Sequence, residues 1–495
     1  MKARLLFGYL SAVVLACALN AQTTKYQPNW ESLDARPAPQ WYLDAKFGIF
    51  IHWGVYSVPA YSSPEEYAEW YWYSLQHKPA ADDQRAMKRH QDTVAFHNRV
   101  FGENFAYSQF APMFKAELFD PGEWARIFRD SGARYVALTS KHHDGFCLFP
   151  SEEANRDWGR PWNAVDTGPR RDLLGDLSEA VRKAGLKMGF YYSLYEWFNP
   201  LWLADRELYV EKHMIPQFKD VVTRYKPAII FSDGEWDMPA EKWKSPELLA
   251  WLYNESPVKD EVIVNDRWGS GARHHHGGYF TTEYGAGMPD ASHPWEENRG
   301  MGFSYGYNRN EPLSNYRTGQ ELVWMFADLV ARGGNLLLNV GPTADGRIPE
   351  IMQARLRELG DWLKVNGEAI YGTRTWKHTA QWTSGEPPEQ GFGTYRVKYE
   401  ILEMAGQQPR AGKAVKQVFF TKKPDALYAI TAGWPGEKLL LKDVQPAANT
   451  VVTMLGIEGP LKWQRQGSDI VIEVPRLTVD ELPCSFAYTF KLTGI

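Results

Sequence analysis

The sequence predicts an α/β chain in two parts, a (β/α)8-like barrel followed by an antiparallel β-sandwich. Three observations carry that prediction. From Phe47 to about Gly372, short runs rich in β-branched and aromatic residues alternate with amphipathic stretches, the pattern of parallel strands joined by crossover helices. Seven such runs are clear and an eighth is discernible, and none opens into a glycine-rich dinucleotide fingerprint, which favours a closed barrel over an open doubly wound sheet. After Gly372 helical spacing stops, and short alternating strands split by turn residues take over. The length of 495 residues agrees, because a single hydrophobic core stops growing near ~250–300.

The barrel strands are FGIFIHW (47–53), ARYVALTSKH (133–142), LKMGFYYSL (186–194), PAIIFSD (227–233), EVIVND (261–266), GYFTTE (278–283) and NLLLNVG (335–341). The eighth is placed at GMGFSYGYN (300–308), where glycines weaken the pattern. Between them, Asp120 reads as an N-cap, Pro121 as a first helical residue and Gly132 as a stop. Segments 173–184, 211–225, 321–332 and 351–366 repeat apolar residues at helical spacing. In the second part VKQVFFTKKPD, ALYAITAGWPG, KLLLKDV, TVVTMLG, DIVIEVP and CSFAYTFKLTG read as strands, with SGEPPEQGFG (384–393) as a loop. The expected domains are therefore 22–373 and 374–495.

Residues 1–21 have the layout of a secretory signal peptide: Lys2 and Arg4, an apolar stretch from Leu5 to Leu19, then small residues to Ala21. Cleavage there would leave a periplasmic or secreted protein. A second reading takes Val14-Leu15-Ala16-Cys17 as a lipoprotein box, with a lipid anchor on Cys17. The apolar core is short for a membrane span, and no later run is long enough for one. Beyond the leader only Cys147 and Cys484 remain, so no disulfide framework is expected. With 55 basic and 60 acidic residues, a net charge of −5 and no long run of like charge, a nucleic-acid partner is not expected either.

Functional groups of such barrels gather at the C-terminal ends of the strands. Here those ends read His52-Trp53-Gly54, Lys141-His142-His143-Asp144, Tyr191-Tyr192-Ser193, Asp233-Gly234-Glu235-Trp236, Asn265-Asp266-Arg267-Trp268 and Glu283-Tyr284. Histidines, carboxylates, an arginine and aromatics on one rim suit a ring-shaped, hydroxyl-rich ligand. Asp233 directly follows Ile229-Ile230-Phe231-Ser232, so it sits where a buried strand surfaces, because an unpaired buried carboxylate is costly. It is expected to act on the substrate, with Glu235 supporting it from the loop. Two residues along one strand cannot flank a bond from opposite sides, so the facing carboxyl required for glycoside hydrolysis is sought elsewhere. Glu283 is the best-placed candidate, and Asp266, Glu296 and Glu297 compete with it.

His52, His142, His143 and the triplet 274–276 raise the question of a metal. Without HExxH or CxxC, neutral histidines hydrogen-bonding to hydroxyls are the favoured reading, and no metal or other cofactor is expected. Glu69 and Trp70, in the loop SSPEEYAEWYWYSL, offer a hydroxyl acceptor and a stacking face.

These stretches, with WYLDAKFGIFIHWGVYSVPA, ELFDPGEWARIFRDSGARYVALTSKHHDGFCLF, VNDRWG, FSYGYNRNE and GGNLLLNVGPTADGRIP, resemble the retaining α-L-fucosidases of glycoside hydrolase family 29 from about Trp41 onward. The resemblance implies release of terminal α-L-fucose from fucosylated glycans by double displacement without a metal. It implies Asp233 as nucleophile and Glu283 as acid/base, with Glu296 a further candidate position. Fucose-binding positions carry over onto His52, Glu69, Trp70, His142, His143, Tyr192 and Arg267, with aromatic contacts at Phe231 and Tyr305.

Overall fold

The computed structural model describes residues 25–285, 287–386 and 404–495. The leader, Cys17 and most of the loop 384–393 lie outside them. Eight parallel strands form one curled sheet: β1 (Phe47–Ile51), β2 (Tyr135–Lys141), β3 (Lys187–Ser193), β4 (Ile229–Asp233), β5 (Ile263–Val264), β6 (Phe280–Glu283), β7 (Trp295–Gly300) and β8 (Asn335–Val340). Their order, β5-β4-β3-β2-β1-β8-β7-β6, runs once around a barrel with its seam between β5 and β6. Across that seam the Gly278 and Tyr279 N–H groups donate to the Val264 carbonyl at 3.1 and 3.2 Å. The strands β1, β2, β4, β5 and β8 are buried throughout, which is why their bodies read as apolar runs; β7 is buried as well.

One strand departs from expectation. The strand expected at 300–308 lies earlier: it is β7, Trp295–Gly300, the sequence WEENRG, and the rest of 300–308 is the loop that follows it. Three charged residues hid it. Inside the barrel wall Glu296 accepts from the Tyr42 hydroxyl at 3.4 Å and from that of Tyr135, whereas Glu297 accepts from the Thr282 hydroxyl and from the Gly285 N–H at 2.9 Å. Arg299 donates to the Met325 sulfur and lies over the Tyr284 ring at 5.4 Å. The partners of these polar groups are distant in sequence, so no local pattern announces them.

Helices fill the crossovers. In Pro121–Asp130 the Asp120 carboxylate accepts from the Gly122 and Glu123 N–H groups at 2.9 and 3.0 Å, satisfying the free donors of the first turn. Further helices run over Leu173–Lys183, Ile215–Tyr225, Gly319–Ala331 and Glu350–Asn366, and a π-turn, Val210–Met214, leads into the second.

The second part stacks two antiparallel sheets. Five strands, β9 (Arg374–Trp382), β10 (Lys416–Lys423), β11 (Ala426–Ala432), β13 (Val451–Met454) and β16 (Ala487–Thr493), face three: β12 (Lys438–Leu441), β14 (Trp463–Gln466) and β15 (Asp469–Glu473). The sequence reading lacked β9 and β14, both edge strands with exposed polar residues. Alternation along β10 and β11 separates two hydrophobic clusters: Val418, Phe420, Leu427 and Ala429 fill the sandwich, while Phe419, Tyr428 and Ile430 join the cluster that packs the barrel's helices and strands. Across this junction Trp324 and Trp362 donate to the Phe486 and Ala487 carbonyls at 2.8 and 2.9 Å. A buried ion pair, Lys416 to Asp328 at 2.5 Å, ties β10 to the Gly319–Ala331 helix.

Candidate active site

The C-terminal ends of the strands converge on one narrow pocket lined by Phe50, His52, Tyr67, Glu69, Trp70, His142, Tyr191, Phe231, Asp233, Trp236, Arg267, Glu283, Asn298 and Tyr305. At the end of β4, Asp233 is 8 % exposed. Its Oδ1 accepts from Arg267 Nη1 at 2.8 Å and Arg273 Nη2 at 3.4 Å; its Oδ2 accepts from the Tyr191 hydroxyl at 3.1 Å. Burial alone would raise its pKa, but the Arg267 charge, with smaller contributions from His143 and Arg273, holds it down at about 2. It is therefore an anion across the working range.

Glu283 closes β6 on the opposite side of the same guanidinium. Arg267 Nη2 donates to Glu283 Oε2 at 3.1 Å, and the Tyr67 hydroxyl donates to Oε1 at 3.3 Å. The side chain is 23 % exposed, open to the mouth, whereas Arg267 itself is buried, with its guanidinium 4.8 Å over the Phe231 ring. One flat fork thus spans the two carboxylates and fixes their separation.

The other candidate carboxyls stand elsewhere. Asp266 is buried and accepts from Thr281 Oγ1 at 2.7 Å, Thr281 N at 3.2 Å and His274 N at 2.9 Å, so it fastens the β5–β6 loop. Glu296, the second residue of β7, is in register with Asn335, the first residue of β8, and so lies at the N-terminal end of the barrel, away from the mouth. Glu297 points to the opposite face of the strand from Glu296, and neither lines the pocket.

Strand β2 ends at Lys141, so His142 and His143 follow it in a turn and escape strict alternation. The His142 ring stacks on Tyr191 (centroids 5.4 Å, planes 4° apart), and its buried Nδ1 has no partner among the described residues. His143 Nδ1 is 2.6 Å from Ser193 Oγ, and its Nε2 lies 3.6 Å from Asp233 Oδ2. His52 Nδ1 is 2.8 Å from Asn339 Oδ1, while the Asn339 amide donates to the Tyr305 carbonyl at 2.6 Å. That arrangement makes His52 Nδ1 the donor and leaves Nε2 as an acceptor. Burial lowers the pKa of all three rings, to about 3 for His52 and about 4 for His143, so they are neutral. Among the described residues no group of three or more His, Cys, Asp or Glu side chains is arranged to hold a metal ion.

Glu69 is 2 % exposed and its Oε2 accepts from the Gly306 N–H at 2.8 Å. Burial raises its pKa to about 8, so it carries a proton at neutral pH. Trp70 stands edge-on to His143 and 5.0 Å from the Trp197 ring, and the Tyr305 ring lies 4.8 Å from His52 with its hydroxyl on Asn298 Oδ1 at 2.7 Å. Tyr192 is the exception among the predicted contacts. It points outward from β3, donating to Gln217 Oε1 at 2.9 Å and to the Met214 carbonyl at 3.2 Å, and Tyr191 occupies the pocket instead. Adjacent strand residues face opposite ways, and the parity of this pair was not readable from two identical side chains. Tyr191, Tyr67, Asn298 and Arg273 are contacts the sequence reading did not find. Arg273 lies in the run GARHHHGG, which reads as an exposed loop.

A barrel-end pocket that sets an ionised aspartate against a more open glutamate, among neutral histidines and aromatic rings, defines the class of glycoside hydrolases. Comparison with known proteins narrows this. Residues 13–368 match the family described as alpha-L-fucosidase, and residues 412–493 match the alpha-L-fucosidase C-terminal domain. An alpha-L-fucosidase of Branchiostoma floridae is 41% identical over 483 residues, 95% of this chain and 96% of its own length. Human tissue alpha-L-fucosidase is also 41% identical over 483 residues, covering 95% and 92%. The crystal structure of Thermotoga maritima alpha-fucosidase in complex with fucose superposes with a TM-score of 0.74 at 35% identity, covering 94% of this chain and all of that one. The chain belongs to the α-L-fucosidase family and is a glycoside hydrolase.

Proposed function

We propose that the chain is an exported, exo-acting α-L-fucosidase that removes terminal α-L-fucose from glycans with retention of configuration. The observation that carries this reading is the Arg267 guanidinium bridging Asp233 and Glu283 at 2.8 and 3.1 Å. Retaining glycosidases hold their carboxyls about 5–5.5 Å apart and inverting ones about 6.5–9.5 Å apart, and two carboxylates on one guanidinium suit the shorter spacing. A Thermotoga relative with fucose bound supports the choice of sugar. The leader, residues 1–21, supports export. Among the described residues no helix is long and apolar enough to cross a membrane.

In the first step an Asp233 oxygen attacks the anomeric carbon as the glycosidic bond breaks, and Glu283 gives its proton to the departing oxygen. Asp233 loses its charge to the ester and Glu283 gains one, so Arg267 stays opposite one anion throughout. A water then attacks the same carbon, passing a proton to Glu283 and freeing Asp233. In this reading the neutral His52 and His142 hydrogen-bond to the sugar hydroxyls, and the Phe231 and Tyr305 rings, which line the same pocket, contact the C5 methyl group that distinguishes fucose. Such an apolar contact discriminates by only ~1–3 kcal/mol, so the polar contacts must add to it.

A second reading of the acid rests on Glu69, which lines the same pocket and is held protonated by burial. Leaving-group dependence separates the two. If Glu283 is the acid/base, Glu283→Ala loses about 10²–10⁴-fold on natural fucosides and far less on an aryl fucoside with a good leaving group. Equal losses on both, with that selectivity appearing instead in Glu69→Gln, would transfer the role to Glu69.

A further inference from the structure

The loop between β5 and β6 carries a second arginine that the mechanism above leaves unused. Arg273 is 9 % exposed at its side chain, and its Nε donates to Glu235 Oε1 at 2.6 Å. Its Nη2 reaches Asp233 Oδ1 at 3.4 Å, the oxygen that Arg267 also holds. Glu235 is 2 % exposed, its Oε2 has no hydrogen-bond partner among the described residues, and its carbonyl accepts from Trp243 Nε1 at 3.0 Å. Between the two acids Gly234 adopts φ +77, and a Cβ there would meet the Tyr195 ring at 2.4 Å, so the turn that aims both carboxylates at Arg273 requires glycine. A carboxylate buried to this degree beside another anion is costly without a cation between them. Arg273 is that cation.

We propose that Arg273, locked in place by Glu235, is a positioning residue that orients the Asp233 carboxylate and keeps it ionised. The proposal rests on the reading of Asp233 as nucleophile. The charge count supports the pairing. When Asp233 becomes an ester its charge is lost, Arg267 is left to the newly formed Glu283 carboxylate, and Arg273 remains neutralised by Glu235, so neither guanidinium is stranded. Asp233 is faced by Tyr191 from β3, by His52 and His143 from the ends of β1 and β2, and by Arg267 and Arg273 from the β5–β6 loop. Glu235 faces it from its own loop, and Glu283 shares Arg267. Each guanidinium on Asp233 is also held by an acid of its own, Glu283 for Arg267 and Glu235 for Arg273.

The test measures kcat/KM against pH for an aryl α-L-fucoside with Arg273→Ala, Arg273→Lys, Glu235→Gln and the Ala/Gln double variant, with thermal melts alongside. Arg273→Ala is expected to lower kcat about 10-fold because the Asp233 carboxylate loses its orientation, and separately to move the acidic limb up by about one pH unit, a tenfold weaker hold on the anion. Glu235→Gln lowers kcat by less and does not raise the limb, because it loosens Arg273 but removes an anion beside Asp233 and keeps the Arg273 charge. The double variant is no worse than Arg273→Ala, and Arg273→Lys restores the limb more than kcat because it keeps the charge without the fork. An unmoved acidic limb in folded Arg273→Ala, or losses that multiply in the double variant, overturns the proposal. Asp233→Ala with added azide serves as the control on the underlying reading. Rescue as a β-fucosyl azide beside an unmoved limb would sink the Arg273 proposal alone, whereas near wild-type turnover without azide would sink the nucleophile reading itself.

Discussion

Replacing Glu296 by Gln removes a titration while keeping the shape of the side chain, and the two consequences can be read separately. Glu296 is fully buried among Tyr42, Tyr135 and Tyr279, and burial raises its pKa from 4.5 to about 8. Below pH 4.5 both the folded and the unfolded carboxyl hold the proton, so the group does not couple stability to pH. Above 4.5 the unfolded carboxyl ionises and the folded one does not, so stability falls with rising pH until the folded group also titrates near 8. At ~1.4 kcal/mol per unit, the two units between pH 5 and pH 7 correspond to about 3 kcal/mol that the wild type loses and the Gln variant does not. Urea unfolding of both proteins at the two pH values measures this, and the advantage of the Gln variant should widen toward pH 7. Turnover of an aryl fucoside should stay within about 3-fold, because Glu296 lies at the far end of the barrel from the pocket. Parallel stabilities at both pH values would refute the electrostatic reasoning. A fall in turnover of about 100-fold in the folded variant would make Glu296 part of the chemistry after all.

Two further outcomes follow from neighbouring contacts. Tyr191→Phe removes a hydrogen bond to ionised Asp233 and should lower kcat/KM by about 10–100-fold, whereas Tyr192→Phe should cost about 1 kcal/mol of stability and leave kcat/KM within about 3-fold; equal kinetic effects would mean that the parity of β3 has been misread. His213 is buried between Glu196 (2.8 Å) and Asp157 (2.7 Å); burial opposes its charge, but the two carboxylates win and raise its pKa above 6.5. Its contribution is therefore complete below pH 6.5 and disappears as pH rises through the raised value, so the melting-temperature gap between wild type and His213→Gln should be large at pH 5.5 and shrink by pH 9. A gap independent of pH would contradict a charged His213.

The barrel was legible because its strands are short, apolar and separated by helices with ordinary caps, as at Asp120 and Pro121. What escaped depended on partners far along the chain. WEENRG reads as anything but a buried strand until Tyr42, Tyr135 and Thr282 are placed beside it. Asp233 was visible as a charge at the end of an apolar run, and Glu283 as an acid closing a β-rich one, because both break a local pattern. Tyr191 and Tyr192 break none relative to each other, so only the backbone's parity separates them. Arg273 sits among glycines and histidines that look solvated, and only the turn at Gly234 brings Glu235 and Asp233 around it.

The central claim is that Asp233 becomes covalently attached to the sugar. Incubation with a 2-deoxy-2-fluoro-α-L-fucosyl substrate carrying a good leaving group, followed by proteolysis and mass spectrometry, tests it most directly. The account predicts one fluorofucosyl adduct, on the peptide containing Asp233 and on that residue, forming in step with loss of activity. Inactivation with the label on another carboxylate, or turnover with no adduct and release of the inverted anomer, would contradict it.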